Sequence, residues 1–167
     1  MTGPSQMIEV RPGYFRASWP MAAAAVVLDE KDRVLLVQPA YYAGRWLMPG
    51  GAAEPLESPR QACERELGEE LGIGITPGRL LAVDWIPAHD QGFAELVYVF
   101  HGGRLTKQQT ASIRLPEAEL TEHRFLSLPD AVVQLTPADG RRLTAAYMCA
   151  HEESGPVYLE HGNPPLT

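Results

Sequence analysis

The chain has 167 residues and a mass of 18.3 kDa, with 14 Lys and Arg against 21 Asp and Glu, so its formal net charge is −7 and its pI about 5.2. That length suits one domain with a self-sufficient core, and a content of 45% hydrophobic and 21% charged residues excludes wholesale disorder. The acidic balance argues against a nucleic acid polymer or an anionic membrane as partner, since both want clustered Lys and Arg.

The start, Met1 to Arg11, has no basic region followed by an apolar run, so no signal peptide is visible. The segments 1–12 and 153–167 are expected to be peripheral or tail segments of a single domain spanning 1–167. Met21–Leu28 and Val34–Gln38 read as buried strands joined by the polar turn Asp29-Glu30-Lys31-Asp32. Four consecutive alanines, Ala22 to Ala25, pull the first run toward helix, but its overall pattern favours a strand. At eight residues it is also the longest apolar run, far short of the roughly 20 that cross a membrane.

A helix is expected over Ser58–Leu71. Ser58 followed by Gln61 is a capping box, Pro59 falls at the first helical position, and Gly72 suits the left-handed residue past the end. Beyond it, Leu80–Ile86 and Phe93–Phe100 look like strands and His123–Leu128 like a shorter one. A turn of helix near Pro129–Leu135 and a longer helix over Pro137–His151 follow, and the tail holds one apolar stretch, Val157–Leu159. The mixture implies an α/β or α+β layered domain. Cys63 and Cys149 lie outside any CxxC pair, which suits buried thiols in a reducing cytoplasmic compartment.

The chemistry concentrates between Gly50 and Ile73. This stretch of 24 residues carries six glutamates and two arginines, a net of −4, while the other 143 residues carry only −3. On a helix of 3.6 residues per turn, Cys63, Leu67 and Leu71 share one line, the core face. Glu66, Glu69 and Glu70 fall together within an arc of about 100° beside it. Three carboxylates there repel one another, and the helix C-terminus disfavours them further. A solvated acidic face would account for them. A bound hard cation such as Mg²⁺, which takes oxygen ligands, would reverse the sign of the cost.

The spacing of the segment resembles the Nudix box, G-x5-E-x7-R-E-U-x-E-E-x-G-U with U a bulky aliphatic. Gly51, Glu57, Arg65, Glu66, Leu67, Glu69, Glu70, Gly72 and Ile73 occupy the required positions. The resemblance implies a Nudix-type α/β/α sandwich with a mixed central sheet and a catalytic loop-helix-loop. It also implies hydrolysis of a diphosphate linkage in a nucleoside diphosphate linked to another moiety, with Mg²⁺ or Mn²⁺ as cofactor and homodimerisation as a common state. Glu66, Glu69 and Glu70 match the principal metal-binding glutamates, and Glu57 the supporting one. Arg65 matches the arginine that orients box carboxylates. Gly50 and Gly51 match the glycines that let the backbone approach the site, a carbonyl there often joining the metal shell. One residue departs: Leu56 stands where the family usually has Gly. Because Leu resists positive φ, this loop is expected to take a different path, which bears on Glu57.

The general base is open among Glu66, Glu95, Glu117, Glu119 and Glu122. Arg45 and Trp46, with Gly51 and Glu95, are the candidates for substrate binding. Trp46, Tyr41 or Tyr42 could stack on a base or pack in the core, while Arg16 and Arg45 could meet phosphate or solvent. Position 89, near which some of the family carry a proline linked to ADP-ribose hydrolysis, is a histidine here. The five histidines show no ligand spacing. An enzyme is the leading reading, and a non-catalytic Nudix-fold nucleotide-binding module is the alternative.

Overall fold

The computed structural model of the chain describes residues 7–42, 44–88, 93–152 and 154–166. Its centre is β3 (Met21–Leu28), flanked by β4 (Val34–Pro39) and β7 (Glu95–Arg104). With β8 (Leu120–Leu126), β6 (Leu80–Ile86) and β9 (Val157–Glu160) they form the order β8-β4-β3-β7-β6-β9, and β5 (Gly50–Ala52) pairs with β3 as well. The sheet is mixed: β3 runs parallel to β7, and β6 to β9, while the other pairs are antiparallel.

Helix α1 (Pro59–Leu71) covers one face and α3 (Leu128–Gln134) with α4 (Pro137–Glu152) the other. This explains the strand at the alanine run. Ala23, Ala25 and Val27 face α1 through Ala62, Cys63, Leu67 and Leu71. Val26 and Leu28 face α3 and α4 through Ala131, Leu143 and Ala146. A strand buried on both faces reads as a continuous apolar run, and tertiary pairing overrides the helical preference of Ala. Among the described residues no helix is long and apolar enough to cross a membrane.

The expected ends of α1 are observed. Ser58 and Gln61 form the reciprocal capping box, and Gly72 closes the helix in the left-handed region at φ 65°. Elsewhere the boundaries move. β7 begins at Glu95 rather than Phe93 and continues through Gly102 and Gly103, because pairing with β3 extends as far as Leu28↔Arg104. β8 starts at Leu120, three residues before the expected strand, along an edge where alternation is weak. Its expected last residue, Leu128, instead opens α3 behind the cap Ser127.

Four elements carried no expectation: β1 (Met7–Arg11) and β2 (Tyr14–Ala17), which form a hairpin, the short β5, and α2 (Lys107–Ala111). The segment 153–167 is not simply a tail, since β9 joins the sheet edge and Leu159 enters the core. Cys63 and Cys149 are buried free thiols, and burial pushes Cys63 up to about 12.

Candidate active site

The turn from β5 into α1 and the last turns of α1 bring the box acids together around Arg65. The guanidinium grips Glu57 with two bonds, Nε to Oε1 at 2.9 Å and Nη2 to Oε2 at 3.0 Å. Its Nη1 donates to Glu66 Oε1 at 2.9 Å and Glu69 Oε2 at 3.1 Å, and Nη2 also donates to the Ala52 carbonyl at 3.0 Å. A planar fork with five N–H donors can hold three carboxylates and a strand end at once, which a lysine cannot. Arg65, followed by the Glu54 amide, holds the Glu57 carboxyl below its ordinary range.

Leu56 does not divert this loop as expected. It adopts φ 70° itself, with its side chain fully exposed, and Glu57 still reaches Arg65. The left-handed conformation costs a branched residue about 1–2 kcal/mol, partly offset because glycine would lose more entropy on folding. Leu56→Gly is therefore expected to raise the unfolding free energy by about 0.5 kcal/mol, read from the urea midpoint at constant slope.

Glu70 is separate from the Arg65 cluster. It is buried and accepts the Gly50 N–H at 2.7 Å. Burial pushes its carboxyl up to about 8, the Gly50 bond works against that, and the charges of Glu66, Glu119 and Glu69 add to it. The glycines beside it have no room for a side chain. A Cβ on Gly50, at φ 141°, would lie 2.1 Å from the Ala23 carbonyl oxygen, so that position is closed by backbone. A Cβ on Gly51 would lie 2.5 Å from the Glu66 carboxylate, the end of a side chain that can give way at the expense of its bond to Arg65. Gly51→Ala should thus leave the melting temperature nearly unchanged while reducing turnover at least tenfold by displacing Glu66. Turnover equal to wild type would refute that close packing.

As they stand, no three Asp, Glu, His or Cys side chains among the described residues form a ready metal cage. Glu66 and Glu69 are held by Arg65. The donors nevertheless fit a hard cation: three glutamates supply oxygen ligands, one is buried at an electrostatic cost a cation would remove, and the Gly50–Gly51 turn is bare of side chains.

Past Gly50 and Gly51 opens a cleft of about 350 Å³, also lined by Arg45, Glu95, Asp139 and Arg142. Arg45 and Glu95, two of the candidates for substrate binding, thus line this cleft. Trp46 does not: it is 4% exposed, packed in the core, with the Arg124 guanidinium 4.8 Å above its ring. As an apolar residue ahead of β5 it fills the space under the sheet instead of facing the cleft. Tyr41 and Tyr42 are exposed, and Arg16 sits on the β1–β2 hairpin beside Tyr14. Of the other acids, Glu122 pairs with Arg124 at 2.7 Å and Glu117 is exposed, while the charge of Glu119 reaches Glu70. His89 lies outside the described residues. Asp139, Arg142 and His161 in the cleft wall carried no expectation. The only hint was Thr136 three residues before Asp139, whose hydroxyl and carboxylate bond at the start of α4.

The family model described as the NUDIX domain matches residues 19–147, most of the chain and all of the site just described except His161. The chain belongs to the Nudix family. Among curated relatives, human diphosphoinositol polyphosphate phosphohydrolase 3-alpha is 47% identical over 55 residues, 33% of this chain and 34% of that protein. Rat diphosphoinositol polyphosphate phosphohydrolase 2 is 39% identical over 72 residues, 42% of this chain and 40% of that protein. The chain therefore spans about a third to two-fifths of the length of these relatives. Among solved structures, the E. coli ORF135 protein aligns at 29% identity and TM-score 0.64, covering 80% of this chain and 92% of that one. A MutT protein from Methanosarcina mazei aligns at 24% identity and TM-score 0.64, covering 81% and 94%, which supports the fold alone.

Proposed function

We propose that this Nudix protein is a divalent-cation-dependent pyrophosphohydrolase that cleaves the diphosphate linkage of a nucleoside diphosphate joined to another moiety. The observation that carries the reading is the Arg65-ordered set of Glu57, Glu66 and Glu69, next to buried Glu70, opening onto a cleft with Arg45 and Arg142. Glu66, Glu69, Glu70 and the Gly50 carbonyl would hold the cation, Mg²⁺ or Mn²⁺. When bound, the cation supplies charge neutralisation at the diphosphate and lowers the pKa of a coordinated water.

The chain's own residues do the rest. Arg65 keeps Glu57 and the helix carboxylates in fixed rotamers, so little reorganisation is left to the reaction. Arg45, half exposed, presents positive charge to the substrate's anionic end. Hydrolysis forms one P–O bond to water and breaks the bridging one, and the water proton goes to a carboxylate at the site. Glu66, Glu95 and Glu119 are our candidates to take it: Glu66 is bonded to Arg65, Glu95 lines the cleft, and the charge of Glu119 is felt at Glu70. Buried free thiols agree with a reducing, cytoplasmic setting.

Release of phosphate or mononucleotide from a nucleotide panel, with Mg²⁺, Mn²⁺ or EDTA, tests the reading. Cation-dependent product is expected. Tight binding with no product would support a non-hydrolysing module instead.

Cation binding should also depend on pH. Glu70, raised to about 8, holds its proton in the metal-free protein at neutral pH and must lose it to bind a cation. At pH 7 cation binding is expected to release about one proton, and affinity should rise about tenfold per pH unit up to pH 8 before levelling. Calorimetry in two buffers of different ionisation enthalpy measures the proton count. A count of zero at pH 7 would rule out Glu70 as a protonated ligand.

A further inference from the structure

The β1–β2 hairpin stands apart from the layers of the fold. All nine of its strand residues are exposed, and Met7, Ile8, Val10, Tyr14 and Phe15 are each 42 to 54% exposed. Among the described residues, none of the nine enters either side of the core. A two-stranded hairpin is marginal in water by itself and gains stability from an apolar surface laid against it. Its charges are left over too. The guanidiniums of Arg11 and Arg16 flank the Tyr14 ring, 4.9 and 5.7 Å from its centre. Neither has a carboxylate partner among the described residues. Glu9, the hairpin's one acid, accepts the Gly13 N–H at 2.9 Å instead. Two like charges held at one ring repel each other.

A surface of opposite character begins where the hairpin ends. A groove of about 730 Å³ is lined by Trp19, Pro20, Met21 and Phe93, and its charged residues are Glu54 and Glu57. Glu57 is taken by Arg65, whereas the exposed Glu54 carboxylate has no cationic partner among the described residues. The hairpin does not cover its own groove. Ser18, Trp19 and Pro20 join β2 to β3 and themselves form part of the groove wall, so no free linker remains to fold the hairpin back over it.

We propose that two copies of this chain form a two-fold dimer in which the hairpin of each lies along the groove of the other, with Arg11 and Arg16 of one protomer against Glu54 of its partner. Such an exchange is self-complementary, because every copy carries one hairpin and one groove and each is satisfied once. The nine strand residues and the twelve that line the groove make 21 on each side, and a stable interface of ordinary size uses about 20–30. Aromatic and apolar contact inside, with opposite charges at the rim, is the anatomy of such interfaces. The dimer requires no catalysis, so it stands or falls independently of the hydrolase reading.

Sedimentation equilibrium over a dilution series tests the dimer. The wild type is expected to sediment as a pair of 18.3 kDa chains. Arg11→Glu with Arg16→Glu, and separately Glu54→Arg, should each raise the dimer Kd about tenfold or more, because like charges then meet at both symmetric contacts. All three side chains are exposed, so both variants should keep the wild-type circular dichroism spectrum. Mixing the two variants is the sharper arm. In the mixed pair the reversed hairpin meets the reversed groove and the native hairpin meets the native groove, so dimers should return with a Kd close to that of the wild type. A wild type that stays monomeric throughout the series overturns the proposal. So do reversals that leave Kd unchanged, and so does a mixture that fails to dimerise.

Discussion

Glu70→Gln is expected to lower kcat/KM by about 10³-fold while leaving the protein folded. Glutamine has nearly the same shape as glutamate and keeps an acceptor for the Gly50 N–H, now 2.7 Å from Oε2. What it removes is the negative charge. In the metal-free protein that removal is not destabilising, because burial already disfavours the ionised form. With a cation present the same change deletes a ligand from the most enclosed part of the site. Activity and cation affinity should therefore fall together while the urea midpoint without metal stays the same or rises. Glu69→Gln together with Glu70→Gln should abolish cation-dependent turnover. Full activity in that double variant would end the assignment of these residues.

Some of this was legible in the chain and some was not, for physical reasons that differ by element. Helix α1 was readable to the residue because its limits are local: Ser58, Gln61, Pro59 and Gly72 each satisfy or close a backbone position without help from elsewhere. β3 was readable despite its alanines because eight apolar residues in a row need cover on both faces. The ends of β7 and β8 depend on which strand lies next to them, and β9 depends on an edge that only the folded sheet provides. The site divides the same way. Helix spacing set Glu66, Glu69 and Glu70 on one arc, and only the resemblance to the Nudix box gave them and Glu57 roles at a metal. It gave no sign of Asp139, Arg142 and His161 in the cleft wall, because 65 to 87 residues of chain separate them from the end of the box at Ile73. Trp46 was misplaced for a related reason: an aromatic beside a binding loop and one beneath a sheet look alike in sequence.

The Leu56 result separates local preference from tertiary demand. Steric preference predicted a diverted loop, yet the Glu57–Arg65 pair and the Glu54 amide bonded to Glu57 Oε2 at 2.9 Å hold the turn in its course. The strain falls on a fully exposed residue and not on the acids. The concentration of negative charge between Gly50 and Ile73 is thus sorted by one arginine, with Glu70 left outside its reach.

Arg142→Met should destabilise the fold by about 3–5 kcal/mol. Arg142 donates from Nε to Asp84 Oδ2 at 2.7 Å and from Nη1 to Asp139 Oδ1 at 2.6 Å. Asp84, on β6, is 0% exposed, and its other oxygen accepts the Gly162 N–H at 3.0 Å. Without the guanidinium, a carboxylate is left buried with one amide as partner. It must then carry an uncompensated charge or take up a proton, and either lowers stability. Arg142→Met combined with Asp84→Leu should recover part of the loss, because it removes the buried charge and leaves only the Gly162 N–H without its acceptor. The double variant also separates two roles of one residue. Arg142 lines the cleft and fixes Asp139, which in turn faces Arg45 at 3.9 Å. If Arg142 serves only the fold, the partly restored protein will have a wild-type KM. If it also receives the substrate's anionic end, stability will partly return while KM stays raised about tenfold, and urea titration with steady-state kinetics on the same preparation distinguishes the two.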